Sequence, residues 1–204
     1  MQQRGDVDTL NQPLMEKRLH WGCGPITPYG WVNSDIWAFP GVDVVADVLE
    51  GLPFADNTFD LIVSIHVLPE IPYRDLDAAL QELFRILKPG GTLRLSLPDM
   101  EKAVTAWQNR DIDYFFLIGD DKIRSLSGKM IVQLLWYGQS RCLFTFEFME
   151  EMLVRNGFIN PEPCNFRETK SRHLVITDLD DRELESFFVE ASKPQATPPP
   201  TNIS

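Results

Sequence analysis

Short apolar runs in this chain alternate with stretches in which apolar residues return every three or four positions. The first run, residues 17–21, reads as a strand ending on Trp21. Residues 31–36 and 42–46 read as the second and third strands. Residues 60–65, Asp-Leu-Ile-Val-Ser-Ile, are nearly all apolar, which suits a parallel strand buried on both faces. Over 75–87 the period changes: Leu76, Leu80, Leu83, Phe84 and Leu87 fall on one side of a helix. Lys88-Pro89-Gly90-Gly91 is expected to stop that helix. In the strand that follows, 92–97, three leucines alternate with Thr92, Arg94 and Ser96, so one face should be less buried.

The later pattern is less regular. Residues 101–109 and 129–137 read as helices on either side of the apolar run Tyr114-Phe-Phe-Leu-Ile. Residues 145–156 form a helix with Thr145 as N-cap and Gly157 just past its end. Residues 157–166 and 185–190 read as strands. Strands alternating with helices predict an α/β fold on a mainly parallel sheet. The expected division is an N-terminal arm over 1–15, one domain over 16–192 with an insertion at about 100–141 forming the substrate side, and a Pro/Thr-rich disordered tail over 193–204.

In such sheets ligands bind beyond the carboxyl ends of the strands. Gly22, Gly24, Asp35, Asp47, His66 and Asp99 all stand at or just past predicted strand ends. Gly22 and Gly24 let a ligand lie against bare backbone. Asp35, at the tip of the next strand, is placed to accept from a ribose diol. Pro25 and Pro28 shorten or remove the helix that ordinarily follows such glycines.

Composition narrows the partners. The 204 residues are 44% hydrophobic and 24% charged, enough for one sizeable core. A net charge of −11 argues against nucleic acid and against an anionic membrane surface. No apolar run is long enough to span a bilayer, and Cys23, Cys142 and Cys164 are too scattered for a zinc site, so no metal is expected. A reducing, cytoplasmic setting fits these three cysteines.

Residues 17–99 resemble the core of the class I S-adenosylmethionine (SAM)-dependent methyltransferases. Leu19-His-Trp-Gly-Cys-Gly24 is similar to that family's glycine motif and Val32-Asn-Ser-Asp35 to its acidic strand end. Ala46-Asp47, Phe59 to Ser64 and Arg85 to Gly91 are similar to its later segments, in the same order. The resemblance implies a Rossmann-like, doubly wound sheet with an antiparallel C-terminal strand. It implies SAM as cofactor and S-adenosylhomocysteine as product. Gly22, Cys23 and Gly24 would meet the methionine part through backbone, with Trp21 beside them. Asp35 would accept both ribose hydroxyls, with Ile36 beside it among the cofactor-binding residues, Asp47 would accept from the adenine amino group, and Val48 would pack on the ring. Ser64 and His66 would line the methionine side. The chain departs from the family at His20, which stands where an acidic residue or Asn helps hold the cofactor's amino group, and at Pro25 and Pro69-Glu70.

The resemblance leaves the acceptor open. A small molecule methylated at a hydroxyl, a sugar or related metabolite, is the first reading, with His66 as base or substrate ligand and Asp99 as a second catalytic candidate. The alternative is a methyltransferase-like domain that has lost turnover and acts as a binding or scaffold protein, as monomer or homodimer. His20 reads as a buried core histidine, His173 as part of a solvated loop, and 178–183 as a solvated acidic turn. Tyr114, Phe115, Trp136 and Tyr137 read either as core or as a platform for a ring.

Overall fold

The computed structural model of the protein describes residues 16–196. The expectations for an N-terminal arm over 1–15 and for most of the tail therefore fall outside the described residues. Seven strands form one sheet: β1 (Arg18–Trp21), β2 (Val32–Asp35), β3 (Val44–Val45), β4 (Phe59–Ile65), β5 (Leu87–Pro98), β6 (Ile159–Cys164) and β7 (Ser186–Ser192). Their spatial order is β3-β2-β1-β4-β5-β7-β6. Neighbours from β3 to β5 run parallel, and β7 runs antiparallel to both β5 and β6. The order reverses at β1, so the loops leaving β1, β2 and β4 open together at one end of the sheet, the place where α/β folds bind ligands.

The helices are α1 (Leu76–Ile86), α2 (Met100–Gln108), α3 (Leu126–Leu135) and α4 (Phe146–Arg155). Helix α1 buries Leu76, Ala79, Leu80, Leu83 and Ile86, the apolar stripe read from the sequence. With Met149, Met152 and Leu153 of α4 it covers one face of the sheet, against Leu19, Ile62, Leu93 and Leu95. The Thr145 hydroxyl accepts from the Phe148 amide and caps α4, and Gly157 follows at φ +90° against the Phe84 ring. Helices α2 and α3 pack on Phe115 to form a small cap over the ligand end.

Four expectations are corrected here. Lys88–Gly91 does not separate helix from strand. It is a bulge inside β5, because Phe59 pairs with Leu87 while Leu61 pairs with Thr92. And β5 has no solvated face: Thr92, Arg94 and Ser96 are all buried. The second face of the sheet carries, over β4 and β5, no α-helix but the irregular segment 165–185, whose Ile176 and Leu179 pack on Leu61 and Val63. Arg94, 1% exposed, reaches from β5 into that segment and holds Asp180 through two bonds of 2.9 and 2.5 Å, with Glu190 at 2.6 Å. The acidic turn read as solvated thus supplies a buried counter-ion. His173, read as solvated, is buried as well and contacts Glu16.

Candidate functional site

The backbone at the end of β1 is set by its glycines. Gly22 adopts φ +69° and Gly24 φ +54°, and a Cβ at Gly22 would collide with the Val67 side chain. The Gly22 and Cys23 amides both donate to the Ser34 carbonyl, at 2.8 and 3.1 Å, which curls the loop over the tip of β2. Asp35 completes this arrangement. Its Oδ2 accepts from the Gly24 amide and its Oδ1 from the Trp37 amide, both at 2.8 Å. Each oxygen keeps a further lone pair.

A cavity of about 800 Å³ opens above this loop. One half is walled by Trp21, Gly22, Gly24, Asp35, Ile36 and Trp37, with Asp47 and Val48 beside them. Asp47 accepts from the Leu49 amide through Oδ1. The other half lies beneath the cap. Its wall includes His66 after β4, Asp99 after β5, Arg182 and Glu185 before β7, and Tyr114 from the cap.

His66 is held in a left-handed conformation, φ +57°, at the end of β4. Its Nε2 lies 2.7 Å from the Ser186 hydroxyl. Burial, reinforced by the Arg182 charge, pushes its pKa down to about 3, so the imidazole is neutral at physiological pH. Asp99 caps α2 by accepting from the Lys102 amide at 3.0 Å. Burial, with Asp99 and Glu185 nearby, raises the pKa of Tyr114 and keeps its hydroxyl protonated.

The sequence expectations divide accordingly. Trp21, Gly22, Gly24, Asp35, Ile36, Asp47, Val48, His66 and Asp99 all reach the cavity. Cys23 and Ser64 are buried beside it and do not line it. His20 is the core histidine expected, neutral because burial pushes its pKa down to about 4. Phe115 is core, whereas Tyr114 and Trp136 belong to the cavity wall. Glu185, Arg182, Ser186 and Arg141 were missed. Arg182 sits in the acidic stretch that looked like a solvated turn, Glu185 and Ser186 open the strand read over 185–190, and nothing in the local sequence marks Arg141.

Comparison with known proteins bears on the fold and on residues 32–95. A methyltransferase-domain family model matches residues 32–95. The ubiquinone/menaquinone biosynthesis C-methyltransferase UbiE of Idiomarina loihiensis is 41% identical over 66 residues, 32% of this chain and 25% of that one. The chain spans about a quarter or less of the length of the first curated relatives it matches. In structure, a SAM-dependent methyltransferase of Thermotoga maritima, described as a possible histamine N-methyltransferase, superposes with TM-score 0.54 at 18% identity, covering 87% of this chain and 82% of that one. A phosphoethanolamine N-methyltransferase of Haemonchus contortus, solved with S-adenosylhomocysteine, gives TM-score 0.54 at 18% identity over 91% of this chain and 50% of that one. The fold is the one shared by the class I SAM-dependent methyltransferases, and residues 32–95 match a methyltransferase-domain model. No helix among the described residues is long and apolar enough to cross a membrane.

Proposed function

We propose that this chain is a SAM-dependent methyltransferase acting on a small molecule at a hydroxyl oxygen, in a sugar or related metabolite. The observation that carries the reading is one cavity with two unlike halves, a glycine-and-carboxylate wall on one side and a hydrogen-bonding wall under the cap on the other. The first half fits the cofactor. The free lone pairs of Asp35 suit two vicinal ribose hydroxyls, Gly24 leaves open space where a Cβ would stand, and Asp47 keeps Oδ2 for an adenine amino group. When bound, SAM supplies an electrophilic methyl group.

The chain's part is to hold the acceptor in line with that methyl group and to exclude water. His66 can hydrogen-bond an acceptor hydroxyl as a neutral imidazole. Its depressed basicity makes it a poor resting place for a proton, so its part is to position the acceptor hydroxyl. Residues 100–141 form the acceptor side of the domain. Methylation at nitrogen is a second reading, favoured by the carboxylates of Asp99 and Glu185, which suit a cationic amine. The three cysteines are free thiols, in keeping with a cytoplasmic setting.

The test is calorimetric titration with SAM and S-adenosylhomocysteine, followed by an assay for S-adenosylhomocysteine release over parallel panels of glycosides and small amines. Turnover of a glycoside supports the reading, and turnover of amines alone moves the acceptor to nitrogen. Cofactor binding with no turnover of either panel would leave the domain as a binding protein.

A further inference from the structure

Six charged side chains of the cavity wall, Asp35, Asp47, Glu70, Asp99, Arg182 and Glu185, can be sorted by what holds them, together with Arg141. Asp35 accepts from two amides, Asp47 from one, and Asp99 caps α2. Arg182 and Glu185 lie within 3.5 Å of one another. Glu70 and Arg141 are different. Neither side chain has a hydrogen bond or ion pair among the described residues, although both face the same cavity.

Their backbones are nonetheless fixed. The Arg141 and Cys142 amides donate to the Pro69 carbonyl at 2.7 and 3.1 Å, so the chain leaving the cap is strapped to the residue before Glu70. Val67, three residues before Glu70, packs against Gly22. The unpaired acid and base are therefore carried on a rigid rim beside the glycine loop. Burial and the nearby Asp35 charge raise the pKa of Glu70, with Arg141 opposing them. A positive group of a ligand would relieve that strain on the carboxylate.

The amino-acid end of SAM carries one ammonium and one carboxylate. In this chain the position that resembles the family's acid for that ammonium is His20, which is buried, neutral and outside the cavity wall. We propose that Glu70 and Arg141 form a zwitterion clamp for the amino-acid end of the cofactor, Glu70 taking the ammonium and Arg141 the carboxylate. The pair takes over the role vacated at His20. Arg141 is the cation for this task because Arg182 is already engaged by Glu185 at the far, acceptor side of the cavity. The proposal rests on the cofactor reading above.

Calorimetric titration of the whole chain with two probes tests it. S-adenosylhomocysteine has the amino-acid end, and 5′-methylthioadenosine has the same nucleoside thioether without it. In the unaltered protein S-adenosylhomocysteine should bind more tightly. Arg141→Ala and Glu70→Gln should each weaken S-adenosylhomocysteine by about 10- to 100-fold, the range of a lost charged hydrogen bond, and leave methylthioadenosine unchanged. Unchanged affinity for S-adenosylhomocysteine in both variants would overturn the clamp, and so would an equal loss for both probes. Failure of the unaltered protein to bind either probe would instead overturn the cofactor reading itself. Circular dichroism melts of the two variants establish that they are folded, and both side chains are solvent-facing, so the melts should match the parent.

Discussion

The Gly24 amide donates to Asp35 Oδ2 at 2.8 Å, so the carboxylate that ends β2 also holds the loop that ends β1. One side chain thus shapes the glycine loop and presents its remaining lone pairs to the cavity. Replacing Asp35 by Ala removes both effects. Two hydrogen bonds to a charged acceptor are worth about 3 kcal/mol or more together, so S-adenosylhomocysteine affinity should fall at least about 100-fold. Calorimetry reads this directly, and retention of parent affinity would remove Asp35 from the cofactor site.

Gly22 is required for a different reason. Its φ of +69° disfavours any Cβ, and that Cβ would meet Val67. Gly22→Ala should lose cofactor affinity by displacing the loop. Val67→Ala in the same chain removes the collision and should restore part of it, leaving only the cost of the backbone conformation, about 1 kcal/mol. An equal loss in the single and double variants would show that the collision is not the cause.

The Arg94 ion group fastens segment 165–185 to the sheet. Arg94→Met would leave Asp180 and Glu190 buried without their cation. Breaking a buried pair from one side costs about 3–5 kcal/mol. Urea denaturation should show a loss of that order, whereas Lys170→Met, which breaks the exposed pair with Glu162, should leave the midpoint nearly unchanged.

His20 and His66 make stability depend on pH. Their folded pKa values, about 4 and about 3, lie below the ordinary value of 6.5. The unfolded chain therefore binds protons before the folded one does as pH falls. Stability is full above about pH 6.5 and declines as pH falls from there towards 3 to 4. At pH 5 each histidine should account for about 2 kcal/mol of lost stability. Urea denaturation at pH 7.5 and pH 5 measures the decline, and His66→Gln should make it smaller. An unchanged difference would mean that His66 is not held neutral by burial.

Much of the scaffold was legible because its elements are encoded locally. Helix α1 follows from leucines at helical spacing, β4 from an unbroken apolar run, and α4 from the Thr145 cap and Gly157. The first half of the cavity was legible too, since glycines and short acidic side chains at strand ends have few other uses in such close order. Where local pattern misled, a distant segment intervened. The alternation of β5 reads as one wet face, yet residues 165–185 lie across it. The acidic turn reads as solvated until Arg94 reaches it.

The α/β class, the parallel core and the strand ends that carry Gly22, Gly24, Asp35 and Asp47 are written in local pattern, because hydrophobic period and backbone freedom act over a few residues. The folded arrangement alone makes Asp180 a buried counter-ion, pins His66 to Ser186, and brings Glu70 and Arg141 to one cavity with no side-chain partner among the described residues. Those relations join residues 71 to 120 positions apart. Their energies come from burial and proximity, which arise only once the sheet has closed around them.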